Sequence, residues 1–199
     1  LDAIPNGFPA TQSGAELRLL AKIFTPEEAS LAAQLKLMPE AVEDIAARLG
    51  REAATLGPTL KGMARRGLIR AERGEGGLRY GLMPFAVGIY EYQMPTMDAE
   101  LARLFEAYYR EAFGPAAGVR PALPRVVPVE KSIQVDTEVL PYERASQMIE
   151  ASQAWGVWDC ICRKQRNLLG EGCDHPVDVC LILGHRAGMY DGNPVIRAL

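Results

Sequence analysis

Residues 70–82 read R-A-E-R-G-E-G-G-L-R-Y-G-L, two short strand-like arms around a glycine-rich centre at 74–77. That pattern predicts a β-hairpin, since glycine supplies the positive φ angles of tight turns. G-E-G-G is not a phosphate cradle, because no helix follows it. Leu68 and Ile69 precede the hairpin, and before them a helix is predicted over about 53–66, with Leu56, Leu60 and Met63 inward. Pro58 fits that helix only if it lies in the first turn. Further back, E-A-V-E-D-I-A-A-R-L-G (40–50) places Val42, Ile45, Ala46 and Leu49 on one stripe, with Gly50 as the stop. Thr25-Pro26-Glu27-Glu28 is a helix start, with a hydroxyl cap, Pro at the first helical position and Glu three residues after the cap. A first helix fits 15–24, with Leu17, Leu20, Ile23 and Phe24 on one face, and residues 1–14 read as a Pro/Gly/polar arm.

Helix, helix, turn, helix, hairpin is the order of a winged helix-turn-helix domain, expected here over residues 15–84. A small helical domain with a hairpin can use the same order for packing alone. Residues 51–79 hold seven basic side chains against three acidic ones. That excess suits phosphate contact, with Lys61, Arg65, Arg66 and Arg73 as the candidate nucleic-acid contacts. Against this, Glu40, Glu43 and Asp44 lie on the preceding helix, and the third helix offers few base-reading residues beyond Thr55, Thr59 and Lys61. A solvated charged face is the preferred reading, with DNA as the alternative.

Met83-Pro84-Phe85 leaves the hairpin, and Gly88 to Gln93 reads as a short extended piece. An amphipathic helix over 97–113 sets Leu101, Leu104, Phe105, Tyr108 and Tyr109 at helical spacing, a stripe suited to a core or a homodimer interface. Residues 114–129 contain two Gly and four Pro, an extended connector. The expected division is thus an arm at 1–14, a winged-helix-like domain at 15–84, a connecting helix and linker at 85–128, and a C-terminal domain at 129–199. In the last, Ser132 to Val139 alternates as a strand. Pro141 opens a helix with Ala145, Met148 and Ile149 inward, which ends before Gly156. The fold class expected is α+β, with a small α/β cysteine-cluster domain at the C-terminus.

The 199 residues are 48% hydrophobic and 24% charged, with a net charge of −3. Such a chain can bury a core without disulfide staples and carries no global basic footprint. No apolar run approaches the roughly 20 residues of a membrane span. The opening residues lack a basic region followed by an apolar core, so a cytoplasmic location is expected. The first residue is Leu, consistent with a piece of something longer.

All four cysteines, Cys160, Cys162, Cys173 and Cys180, fall within 21 residues. Four soft thiolates this close are most simply read as one metal centre. A disulfide framework is disfavoured in a reducing compartment, and a direct bridge across C-x-C is strained. Structural zinc usually takes C-x₂₋₄-C knuckles, which this spacing departs from, although His175 or His185 offers a substitute ligand. An iron–sulfur cluster tolerates varied spacings and is preferred, with zinc as the alternative. Arg163, Lys164, Arg166 and His175 are candidates for tuning the cluster or docking a partner, with an ordinary loop as the competing reading. Pro176 would stiffen the loop, and Trp158, Ile161, Leu168, Leu169 and Val179 are available to limit water access.

The run C-x-C-R…G-x-x-C-x-x-P-x-x-x-C (Cys160, Cys162, Arg163, Gly170, Cys173, Pro176, Cys180) resembles a group of prokaryotic 4Fe-4S-binding, ferredoxin-like proteins. So do L-M-P-F-A-V-G-I-Y-E-Y-Q (82–93), V-E-K-S-I-Q-V-D-T-E-V-L-P-Y-E (129–143) and the N-terminal winged helix. Members usually continue into further Cys-rich motifs, which this sequence does not contain. The resemblance implies a [4Fe-4S] cluster and electron transfer to a redox partner protein, and no substrate. Two other classes stand beside it, a redox- or metal-sensing winged-helix regulator and a zinc-stabilised interaction protein. No Ser-His-Asp order, Walker loop or dinucleotide fingerprint marks an enzyme site.

Overall fold

The computed structural model describes residues 1–117 and 142–199, apart from residues 3, 5, 6, 75 and 194. The N-terminal part contains helices α1 (Ala15–Ile23), α2 (Pro26–Ala32), α3 (Val42–Leu49) and α4 (Ala53–Arg65). Strands β1 (Glu40–Ala41), β2 (Arg70–Gly74) and β3 (Gly77–Gly81) form an antiparallel sheet in the order β1-β3-β2. The hairpin closes at Gly74 opposite Gly77, with Gly76 and Gly77 at φ 86° and 139°. α2 starts as its sequence demands: the Thr25 hydroxyl accepts from the Glu28 amide, and the Glu28 carboxylate accepts from the Thr25 amide. Gly50 ends α3 in the left-handed region.

Several expectations need correction. In α1 the buried stripe is Ala15, Leu19 and Ile23, whereas Leu17 is 65% exposed. Residues four apart share a face, and Leu17 lies off that row. Pro58 sits inside α4, not in its first turn. It is tolerated because it and Ala54, whose carbonyl loses its amide partner, both face solvent. The N-terminal arm is packed down: Ile4 and Phe8 are buried, and the Phe8 ring lies 4.7 Å from that of Phe85. The stretch 88–93 is not extended. Ala86 and Val87 are extended, and the single helical turn α5 (Tyr90–Tyr92) follows.

α6 (Ala99–Tyr108) is capped by Asp98 and continues through a wider turn at Tyr109–Phe113 into α7 (Gly114–Ala117). Leu101, Phe105 and Tyr108 are spent on the chain's own core. The Tyr90 and Phe105 rings stack at 3.8 Å and 13°. One apolar cluster therefore runs from Phe8 through the helices to Tyr108, crossing the boundary expected at residue 84.

The C-terminal part contains α8 (Tyr142–Ala151), β4 (Ala154–Trp158), α9 (Ile161–Leu168), β5 (Cys180–Gly184) and β6 (Arg197–Ala198). The three strands form a second antiparallel sheet in the order β5-β4-β6. Met148 and Ile149, expected inward, are 52% and 37% exposed. The strand expected at 132–139 and most of the 114–129 connector lie outside the described residues. A small core of Ala154, Tyr190 and Ile196 backs the sheet. Gly156 is required there, since a Cβ would lie 2.4 Å from Ile196 Cγ2.

α9 joins the two parts. Ile161 enters the large core, and the Tyr90 hydroxyl donates to Gln165 Oε1 at 2.9 Å. Gln165 Nε2 donates to Glu106 Oε2 at 3.0 Å. Arg166 and Arg110 also reach the Glu106 carboxylate, at 3.4 and 2.6 Å. No helix among the described residues is long and apolar enough to cross a membrane.

Candidate metal centre

Strand β4 delivers the chain to Cys160. Its last residue, Trp158, pairs in register with Cys180, so Cys180 starts β5 directly across the sheet. Cys160 occupies the N-cap of α9, and its amide donates to the Val177 carbonyl at 2.7 Å. Cys162 lies in the first turn of that helix. The sheet register and the helix start thus set Cys160 beside both Cys162 and Cys180.

Their electrostatics carry the mark of this crowding. Cys162 is exposed by surface area, and its thiol is pushed above its ordinary value first by partial desolvation against its neighbours, then by Cys160 and Glu91. The Cys180 thiol, also exposed, is raised by partial desolvation, then by Cys160 and Cys162, with Arg163 pulling the other way. Mutually opposed ionisation is what a set of thiolates experiences before a cation joins them. A bound cation would reverse that balance.

Cys173 is placed differently. Gly172 packs against the far end of α9, where an added Cβ would fall 1.8 Å from Asn167 Oδ1. The chain then returns along the helix, the Pro176 carbonyl accepting from Arg163 and that of Val177 from Cys160. Cys173 begins this return as an exposed side chain; Cys162 and Cys180 are exposed as well, and Cys160 is half-buried. Although Cys160 adjoins both Cys162 and Cys180, no three His, Cys, Asp or Glu side chains among the described residues converge closely enough to hold an ion.

The flanking basic side chains are engaged within the chain. Arg163 donates to Pro176, Lys164 Nζ donates to the Met94 carbonyl at 2.7 Å, and Arg166 binds Glu171 at 2.5 Å besides Glu106. Lys164 and Arg166 therefore dock α9 onto the N-terminal part. His175 and His185 are exposed. Of the candidate nucleic-acid contacts, Lys61, Arg65 and Arg73 are exposed. Arg66 is tied to Glu28 at 2.6 Å and to the Ile23 carbonyl at 3.0 Å.

Two residues near these cysteines are placed in ways the sequence did not indicate: Glu91, read as part of an extended piece, and Trp158, read only as a shield against water. Glu91 lies within electrostatic reach of Cys162. Burial raises the Glu91 carboxyl, partly offset by the Gly88 amide, which donates to Oε2 at 2.6 Å. Trp158 has a buried Nε1–H with no acceptor among the described residues. Its ring meets Tyr92 edge-on at 5.1 Å. Compared with family models, curated proteins and solved structures, the chain finds no match in any of the three.

Proposed function

We propose that this chain binds an iron–sulfur centre through Cys160, Cys162, Cys173 and Cys180 and serves as a one-electron module for a redox partner protein. The observation that carries the reading is the adjacency of Cys160 to both Cys162 and Cys180 at the junction of β4, α9 and β5. The buried Trp158 N–H, without an acceptor among the described residues and on the register partner of Cys180, also fits, since cluster sulfides accept hydrogen bonds from such donors. The donor set is all thiolate, which suits iron–sulfur or zinc rather than hard cations. A bound [4Fe-4S] cluster would supply the electron-carrying chemistry. The chain's residues would ligate it, and Arg163 would offset negative charge near Cys180. Of the residues expected to limit water access, Ile161 is buried whereas Leu168 and Val179 are exposed. Cys173 would have to turn in from the exposed loop to complete the set. A cytoplasmic setting and the likeness to prokaryotic 4Fe-4S proteins belong to the same proposal. Self-association through the 97–113 helix would have to use its outer face.

A second reading is favoured by one specific observation. The β1-β3-β2 sheet behind α3 and α4 is the arrangement expected of a winged helix, which makes a redox- or metal-sensing regulator the alternative. A zinc-stabilised interaction protein is the third.

Anaerobic purification with visible absorbance and counts of iron, sulfide and zinc separates these readings. The expected sample is brown, with broad absorbance near roughly 400 nm and about four iron and four sulfide per chain. A colourless sample holding about one zinc overturns the redox reading. Salt-dependent binding of duplex DNA, abolished by Arg65→Ala with Arg66→Ala, would favour the regulator over the carrier.

A further inference from the structure

A cleft of about 1050 Å³ opens between the hairpin and the C-terminal loop after β5. One wall is β2, the edge strand of the first sheet, and the other begins at His185 and Arg186. Its size is that of a site for a whole nucleotide rather than a lone ion.

The charges on the two walls are unequal in kind. Arg70 is neutralised by Glu72 at 2.8 Å. Asp191 folds back over its own turn, its Oδ2 only 2.8 Å from where a Cβ on Gly188 would stand. Arg73 on the hairpin and Arg186 on the loop have no hydrogen-bond or ion-pair partner for their side chains among the described residues, and both line the cleft. Two guanidiniums without a partner among the described residues line one cavity, one from each wall, and each is a planar donor fork of the kind that phosphate oxygens accept.

The cleft also has an aromatic wall. Tyr92 is half-buried and lines it, with its ring held against Trp158. We propose that this cleft binds a phosphorylated aromatic ligand of nucleotide size, with Arg73 and Arg186 holding the phosphate and Tyr92 flanking the ring. The Tyr92–Trp158 contact would set the ligand one side chain away from Cys180, the register partner of Trp158. Binding itself does not depend on the metal centre.

The test is calorimetric titration of the full chain with ADP, run on metal-bound and metal-stripped protein so that failure of the metal reading leaves the answer intact. The expected result is saturable binding of one ADP per chain. Arg73→Ala and Arg186→Ala should each weaken it about tenfold, the loss of one charge-assisted contact. Arg70→Ala, already paired, should change it by less than about threefold. All three side chains are exposed, and circular dichroism checks that the variants fold. Absence of saturable heat up to millimolar ADP overturns the proposal, and so does binding that Arg73→Ala and Arg186→Ala both leave unchanged. Duplex DNA binding that needs both arginines and resists competition by ADP also overturns it and gives the cleft to nucleic-acid backbone.

Discussion

The Tyr90 hydroxyl donates to Gln165 Oε1 at 2.9 Å, joining the turn beyond the hairpin to the helix that carries Cys160 and Cys162. Both side chains are buried, 2% and 4% exposed. Tyr90→Phe keeps the stack on Phe105 but strips Gln165 Oε1 of its donor in a site closed to water. The expected cost is about 1–3 kcal/mol, the penalty for an unsatisfied buried acceptor. Urea unfolding checks it, with a lower midpoint and an unchanged slope.

Glu106 sits at the centre of the same seam. Burial opposes its ionisation, but the hydrogen bond from Arg110, the charge of Arg166 and the Gln165 amide outweigh burial and hold the carboxyl below its ordinary 4.5. A depressed folded value means that the stabilisation is complete above 4.5 and is lost as pH falls through the folded value. The C-terminal part should therefore loosen from α6 only as the pH falls below 4.5, and Glu106→Gln should flatten that dependence. Tryptophan fluorescence against pH reports it, since both Trp155 and Trp158 belong to the C-terminal part. An identical acid profile in the variant would show that another group controls the seam.

Local chemistry was legible in the sequence wherever a short pattern has one physical solution. The capping box at Thr25, the Gly50 stop and the Gly74–Gly77 turn are of this kind. So was the buried face of α4, because Leu56, Leu60 and Met63 keep helical spacing. What failed depended on partners distant in sequence. Leu17 and Leu19 are equally apolar, and only the packing of α1 on α6 selects Leu19. Tyr90 and Glu91 read as part of a short extended piece. Their place beside Cys162 follows from α9 docking some seventy residues later, through a buried glutamine that no motif marks. The cysteines were conspicuous by spacing, but the place of Cys180 across from Trp158 and near Cys160 emerges only once β4 and β5 pair.

Cys173→Ala should abolish metal retention under the four-thiolate scheme. The side chain is exposed, so its loss leaves the fold intact and reports on ligation alone. The expected outcome is iron and visible absorbance at background, with an unchanged far-ultraviolet circular dichroism spectrum. A variant that keeps its full metal content would remove Cys173 from the ligand set and leave Cys160, Cys162 and Cys180 as the centre.

Gly67 and Gly62 offer opposite outcomes for the same substitution. Gly67 follows α4 at φ 68°, its amide donating to Ala64 O at 3.0 Å and the Leu68 amide to Met63 O at 3.0 Å. This is the left-handed helix stop that glycine adopts without strain. A Cβ there would lie 2.0 Å from Tyr92 Cβ and 2.3 Å from its Cγ, so α5 would have to move as a unit. Nor is α5 free to move, because Gln93 Nε2 donates to Arg66 O at 3.3 Å and to Ile89 O at 2.9 Å. Gly67→Ala should destabilise the protein by about 3 kcal/mol or more, combining left-handed strain with the clash. It should also disturb the site, because the displaced turn carries Tyr90 and Glu91. Gly62 lies within α4 with nothing within 4 Å of an added Cβ. Gly62→Ala should stabilise by about 0.5–1 kcal/mol through helix propensity. Paired thermal melts decide the matter: equal and small shifts at the two positions would mean that α5 does not pack on the end of α4 as described.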